Sequence, residues 1–355
     1  MPPTARRSPA SFLDVRAAGL VAGLGLALVA TVVLSVAVGA VHVRPAQVLA
    51  ILADRAGLDI GVSYAPQQEA VVWAIRLPRV VLGLLVGAGL ASAGAAMQGI
   101  FRNPLADPGV IGVSSGAALG AVFAIVIGFA GLGQRALPVA AFAGGLLATL
   151  AVYGLSRHQG RTEVVTLVLT GVAVNAIAGA GIGLLTFLAS DAQLRSLVFW
   201  SLGSLGGATW GVVGAVAPFL IAGVVALPRF ARSLDLLVLG EREAAHLGVA
   251  TERVRMGVIV LAAMTTGAAV AAAGIVGFIG LVVPHLVRLV AGPSHRVVLV
   301  ASALGGAIVV VGADLASRTL AVPAELPLGV LTGALGGPFF LWLLHRARAE
   351  QGGWG

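Results

Sequence analysis

Apolar stretches long enough to cross the roughly 30 Å of a bilayer's hydrocarbon recur along the whole chain, separated by short joints rich in arginine, proline and glycine. The pattern predicts helices over residues 17–41, 72–100, 109–130, 136–156, 163–189, 208–228, 252–276, 279–291, 295–320 and 327–347. The eighth is too short to cross unaided, and a further apolar piece at 194–206 reads as a half-helix near one surface. Lipid offers no hydrogen-bond partners to an open backbone, so these segments imply an all-α integral membrane protein of about ten transmembrane helices. A single transmembrane domain over 17–347 is expected, flanked by cytoplasmic tails at 1–16 and 348–355.

Ten crossings place both termini on one side, and the arginines say which. Arg6, Arg7, Arg16, Arg102, Arg157, Arg161, Arg229, Arg232, Arg242, Arg253, Arg255, Arg288, Arg296, Arg346 and Arg348 fall together, against Arg44, Arg55, Arg76, Arg79, Arg135, Arg195 and Arg318 opposite. The richer side is cytoplasmic by the positive-inside rule. The first apolar run is about twice the length of a signal-peptide core and has no convincing cleavage site, so it reads as the first membrane helix. The halves resemble each other: Arg76-Leu77-Pro78-Arg79 opens a Gly/Ala-rich helix that ends at Asn103-Pro104, and the second half sets Pro284, Pro323 and Pro327 at helix ends. Weak internal symmetry with broken helices is the mark of inverted-repeat transporters.

Composition narrows the classes. Of 355 residues, 59% are hydrophobic and 10% charged, far from the roughly 25% charge of a soluble domain, and 50 glycines allow close helix approach. There is no cysteine, which removes disulfides and thiol chemistry, and the six histidines form no H-E-x-x-H pair, so no metal or cofactor is expected. The basic charge is all arginine; without a lysine the chain has no conventional phosphate-binding P-loop and is not expected to be an enzyme. The net charge of +8 sits at segment ends and forms no stripe, which argues against nucleic acid.

Ser233 to Arg255 is amphipathic and too polar to cross. Within it Gly240 and Gly248 bracket about two helical turns, with Glu241 and Glu243 at the end that the helix dipole favours for acids. This is either a solvated loop helix or one that docks into a cytoplasmic partner. Asp314 is the one acid well inside a span, read as a local ion pair with Arg318 one turn on, or as the proton relay of an ion-coupled carrier. His285 is expected to cap or pack a short helix and Asn175 to bond between helices. Gly112-Val113-Ser114-Ser115-Gly116 fits a hydrolase elbow but has no paired base, and with Gly83/Gly87 and Gly333/Gly337 it is read as small-residue packing.

The blocks Arg76-Leu77-Pro78-Arg79, Asn103-Pro104-Leu105-Ala106-Asp107-Pro108-Gly109, Leu239-Gly240 to Leu247-Gly248, Gly277-Phe278-Ile279-Gly280-Leu281-Val282-Val283-Pro284-His285-Leu286-Val287-Arg288 and Glu325-Leu326-Pro327-Leu328-Gly329 resemble, in that order, the FecCD family of permeases of type II ABC importers. The resemblance runs from about Ala17 to the end of the last span. It implies a permease homodimer, or a heterodimer with a paralogue, two cytoplasmic ATPase subunits, and an extracytoplasmic binding protein that delivers a metal chelate. It implies docking of that protein at Arg76, Arg79 and Arg318, and a cytoplasmic gate at Asn103 and Leu105 with Val164 and Val165. The ATPase coupling helix, about 234–248, would contain Leu239, Gly240, Glu241, Ala244, Ala245, Leu247 and Gly248. A ferric siderophore is the first substrate expected, with haem or cobalamin as the alternative and an ion-coupled secondary transporter as the reading from another class.

Overall fold

The computed structural model describes residues 9–39, 41–129, 133, 136–158 and 161–350. Among the described residues the regular elements are helices apart from one short antiparallel pair, β1 (Arg157–His158) with β2 (Arg161–Thr162). The long elements are α1 (Pro9–Ala37), α4 (Leu77–Phe101), α5 (Val113–Val126), α6 (Ala136–Leu155), α7 (Val164–Leu188), α9 (Trp210–Ala226), α12 (Thr251–Ala273), α13 (Ile279–Ala291), α14 (His295–Ser317) and α15 (Leu328–Glu350). Among the described residues seven helical stretches are long and apolar enough to cross a membrane, and α5, α13 and part of α15 are shorter apolar helices. The chain is a multi-pass, all-helical membrane protein.

Three boundaries differ from the sequence pattern, the first for a local reason. The segment from 109 opens as a 3-10 turn, Pro108–Ile111, capped by the Asp107 carboxylate on the Gly109 amide at 2.8 Å, so α5 starts only at Val113. The first helix begins at Pro9, inside the stretch read as a tail, and α15 runs on to Glu350. Arg6, Arg7, Arg135 and residues 351–355 lie outside the described residues. Polar joints also fold: α2 (Pro45–Arg55) and α3 (Pro66–Ala70) sit between α1 and α4, α8 (Asp191–Ser201) is the expected half-helix, and α10 (Ala231–Leu237) and α11 (Glu241–His246) follow α9.

α4, α12 and α14 are the most enclosed long helices, while α1, α6, α7 and α9 turn most of their surface outward. α4 is the axis. It can be so because its glycines admit neighbouring backbones: a Cβ on Gly87 would lie 2.2 Å from the Gly306 carbonyl oxygen of α14, and one on Gly94 would lie 2.1 Å from that of Gly280 in α13. Gly116 packs on Gly144 and Ala148 of α6, so the G-x-S-x-G stretch is a helix crossing. Gly333 and Gly337 have nothing within 4 Å of their Cβ positions, so that pair makes no such crossing within the chain.

α13 starts deep in the structure after the non-helical stretch 274–278, with Gly280 against Gly94, and ends near His295. Side-chain contacts sort the joints into two ends. Arg76, Arg79, Trp73, Trp210, Asp314 and Glu325 gather at one, and Thr162, Asp235, Glu241, Arg255 and His295 at the other.

Gly87→Leu should lower stability by about 1–3 kcal/mol or more through overpacking, although leucine is the better helix former by about 1 kcal/mol. The backbone clash outweighs the propensity gain. Gly333→Leu, into open space, should be close to neutral; thermal unfolding in detergent compares the two.

Candidate functional site

The arginines expected to dock a partner are brought together, but buried. Arg76 is 4% exposed and donates to the carbonyls of Val36 at 2.7 Å and Ala37 at 2.9 Å, and to that of Val41. Arg318 donates to the Val38 carbonyl at 2.8 Å, to the Ser35 carbonyl, and to the Ser35 hydroxyl at 2.8 Å. Both therefore cap the end of α1, whose last carbonyls have no helical partners and carry the negative end of the helix dipole. Gly39 gives the Arg76 guanidinium room, since a Cβ there would meet Nη2 at 2.6 Å.

Arg79, 7% exposed, joins three segments. Its Nε donates to Asp314 at 2.7 Å, and its Nη1 and Nη2 fork onto the two carboxylate oxygens of Glu325, each at 2.9 Å. The sequence reading paired Asp314 with Arg318; that contact exists at 3.6 Å, but the shorter one goes to Arg79, which no sequence spacing could reveal. With both neighbours cationic and its side chain 3% exposed, Asp314 is a held counter-ion and lacks the access a proton relay needs. The Glu325 side chain is 46% exposed, so the outer face of the fork is the part of this cluster that meets solvent. Arg44, Arg55 and Arg195 at this end are exposed. Arg55 pairs with Glu69 at 2.6 Å and lies 5.0 Å above the Trp73 ring.

At the opposite end α11 is set off by Gly240, whose φ of +124° and contact with the Glu243 carboxylate exclude a side chain. Ala244 is fully buried, whereas Leu239 and Leu247 are 62% and 60% exposed and Ala245 also faces outward. A polar loop that presents two leucines has the shape of a contact surface. Glu241 is bonded to Arg255 of α12, a residue not foreseen from sequence.

The expected gate pieces occupy the same end. α4 stops at Arg102 in the left-handed conformation, φ +49°, and the Asn103 carbonyl side chain accepts the Leu105 amide at 2.9 Å. Asn103 is thus committed to its own turn, while Leu105 is 39% exposed beside Pro104, His285 and Phe339. Val164 is half-buried against the core and Val165 is 68% exposed. No hydrogen bond joins the two pieces among the described residues.

One bonding site at this level also escaped the sequence reading. Gln98 donates to the Gly280 carbonyl at 3.0 Å and accepts from Arg288, tying α4 to α13 just ahead of the Asn103 turn. Asn175 bridges helices as expected, donating to the Gly109 carbonyl at 3.2 Å and accepting from Ser115. His285 packs edge-on to Phe339 and neither ring nitrogen has a partner. A cavity of about 320 Å³ lies between α4, α5, α12 and the 274–278 stretch, lined by Leu90, Ser114, Thr266, Phe278 and Asp107, whose carboxyl burial pushes up.

The fork from Arg79 holds the Glu325 carboxyl below its ordinary value of 4.5. A depressed carboxylate contributes stability that is present above 4.5 and lost as pH falls through the lowered value. Glu325→Gln should therefore flatten the fall of the thermal midpoint between neutral pH and the acid range, and an unchanged profile would assign that fall to other groups.

The FecCD transport family profile matches residues 27–346. The hemin transport system permease protein HmuU of Yersinia pestis is 46% identical over 282 residues, 79% of this chain and 84% of that protein. The cobalamin import system permease protein BtuC of Halobacterium salinarum is 44% identical over 294 residues, 83% and 78% of the two chains. A solved structure described as an inward-facing metal-chelate type ABC transporter superposes with a TM-score of 0.81 at 32% identity, covering 92% of this chain and 99% of that one. A helical array with its polar side chains gathered at two ends, and a match over nearly its whole length, have one explanation: the chain belongs to the FecCD transport family and is a permease subunit of an ATP-binding-cassette importer, with the ATPase on another polypeptide.

Proposed function

We propose that this permease moves a metal–tetrapyrrole chelate, haemin or cobalamin, into the cytoplasm. The observation that carries this is the 46% identity to a hemin permease, with a cobalamin permease at 44%. These relatives favour the tetrapyrrole branch over the ferric siderophore that the sequence reading put first.

In this reading two copies of the chain, or one with a paralogue, enclose the pathway, both termini face the cytoplasm, and α11 docks into an ATPase subunit. Its outward Leu239, Ala245 and Leu247 are the contact residues, Ala244 and Glu241 hold it to the body, and Gly240 and Gly248 set its ends. The Asn103–Leu105 turn and Val164–Val165 close the cytoplasmic mouth. A binding protein docks at the end that carries Arg76, Arg79 and Arg318. Burial of Arg76, and the bonds that hold the partly buried Arg318 to the end of α1, make them supports of that surface, while Arg79 can meet an acidic residue where Glu325 now lies.

Three measurements test the assignment. Tagged protein purified from native membranes should bring an ABC ATPase in equal amount, and the co-purifying binding protein should bind haemin or cobalamin in preference to a ferric siderophore. Purification of this chain alone, still accumulating solute under an ion gradient without ATP, would remove the reading. Ala245→Asp with Leu247→Asp should weaken ATPase capture by about tenfold or more, as for residues central to an interface. Glu325→Gln should tighten binding-protein docking by up to about fivefold by releasing the Arg79 fork; weaker docking would show that Glu325 itself takes part.

A further inference from the structure

Arg255, 4% exposed, sits near the start of α12 where three other elements converge. Its Nη2 donates to the carboxylate of Glu241, the first residue of α11. Its Nη1 donates to the main-chain carbonyl of Thr162, the last residue of β2, and to Glu252 at 3.2 Å. Glu252 closes the far side, accepting from the Thr162 hydroxyl at 2.7 Å, the Thr162 amide at 3.3 Å and the Tyr153 hydroxyl of α6 at 2.9 Å. Only Glu163 separates Thr162 from Val164, where α7 begins.

A guanidinium is planar, and its donors keep a fixed spread, so one group that bonds α11 with one nitrogen and β2 with the other sets the distance between them. Arg255 and Thr162 are both buried, so water cannot replace the contact between them, whereas the Glu241 carboxylate is 41% exposed and meets solvent on its outer side. Moving α11 relative to Thr162 would break charge-assisted hydrogen bonds and leave a buried cation short of partners, which costs more than carrying the whole unit along. The contact to Thr162 uses a main-chain oxygen, so the pull acts on the backbone that leads into α7.

We propose that Arg255 is a positioning residue that ties α11 to the N-terminal end of α7, so that a displacement of α11 by the cytoplasmic ATPase is delivered to Val164 and Val165. The inference rests on the reading of α11 as the ATPase contact. It adds the route by which that contact reaches the gate.

The chain has no cysteine, so Val165→Cys provides a single spin-label site at the start of α7. The labelled permease is assembled with its ATPase subunits in lipid nanodiscs, and the spectrum is compared without nucleotide and after trapping with ATP and vanadate. The parent should respond to trapping. Adding Arg255→Gln should reduce the response about tenfold, the scale of an ordinary coupling free energy, with the ATPase still bound in equal amount. Glu241→Gln, which cuts only the α11 end of the tether, should give the same loss and serves if the first variant does not assemble. A full response in both variants overturns the tether. So does a parent label that ignores trapping, or loss of the ATPase from both variants, since the pair would then only support α11. Failure of the parent itself to retain the ATPase would instead overturn the reading of α11.

Discussion

A hydrogen-bonding group inside lipid has no solvent to fall back on, and the placement of polar side chains in this chain follows from that constraint. The end of α1 is the clearest case. Its last carbonyls would be orphaned at the membrane boundary, and Arg76 and Arg318 supply donors from α4's entry and α14's exit. Asp314, an acid in a span, lies between Arg79 and Arg318 for the same reason. Long-range pairing of this kind locks sequence-distant segments into one body at the end where Glu325 alone of the cluster reaches well into solvent.

The second constraint is contact distance. Without a hydrophobic force between helices, association depends on dispersion, which requires close approach. Gly87 against Gly306 and Gly116 against Gly144 bring main chains into contact and make α4 with α14, and α5 with α6, tightly fitted pairs.

The two polar ends differ in character. The Arg79 cluster is a charge network whose well-exposed member is the Glu325 carboxylate. The Arg255 node links four elements through side chains and one backbone carbonyl, with Leu239 and Leu247 left free on the surface next to it.

Much of this was legible in the chain as written. The long apolar helices, the short eighth helix, the half-helix at α8, the bracketed α11 and the ordered motif blocks follow from composition and local pattern, because helices in lipid satisfy their backbones within one segment and so leave a local record. The partners of side chains did not. Asp314 was matched to Arg318 because four residues make one turn, whereas its shorter bond spans 235 residues to Arg79. Arg255 read as one more cytoplasmic arginine, and Gln98 as an unremarked residue before a turn. Gly333 and Gly337 carried the same signature as Gly83 and Gly87 but face open space. The sequence by itself determined where the long apolar helices lie and which family the chain resembles, since these depend on residues close together. Only the tertiary structure decided which arginines cap a helix end and which fork onto a carboxylate, because a side chain's partners depend on the neighbours that packing brings to it.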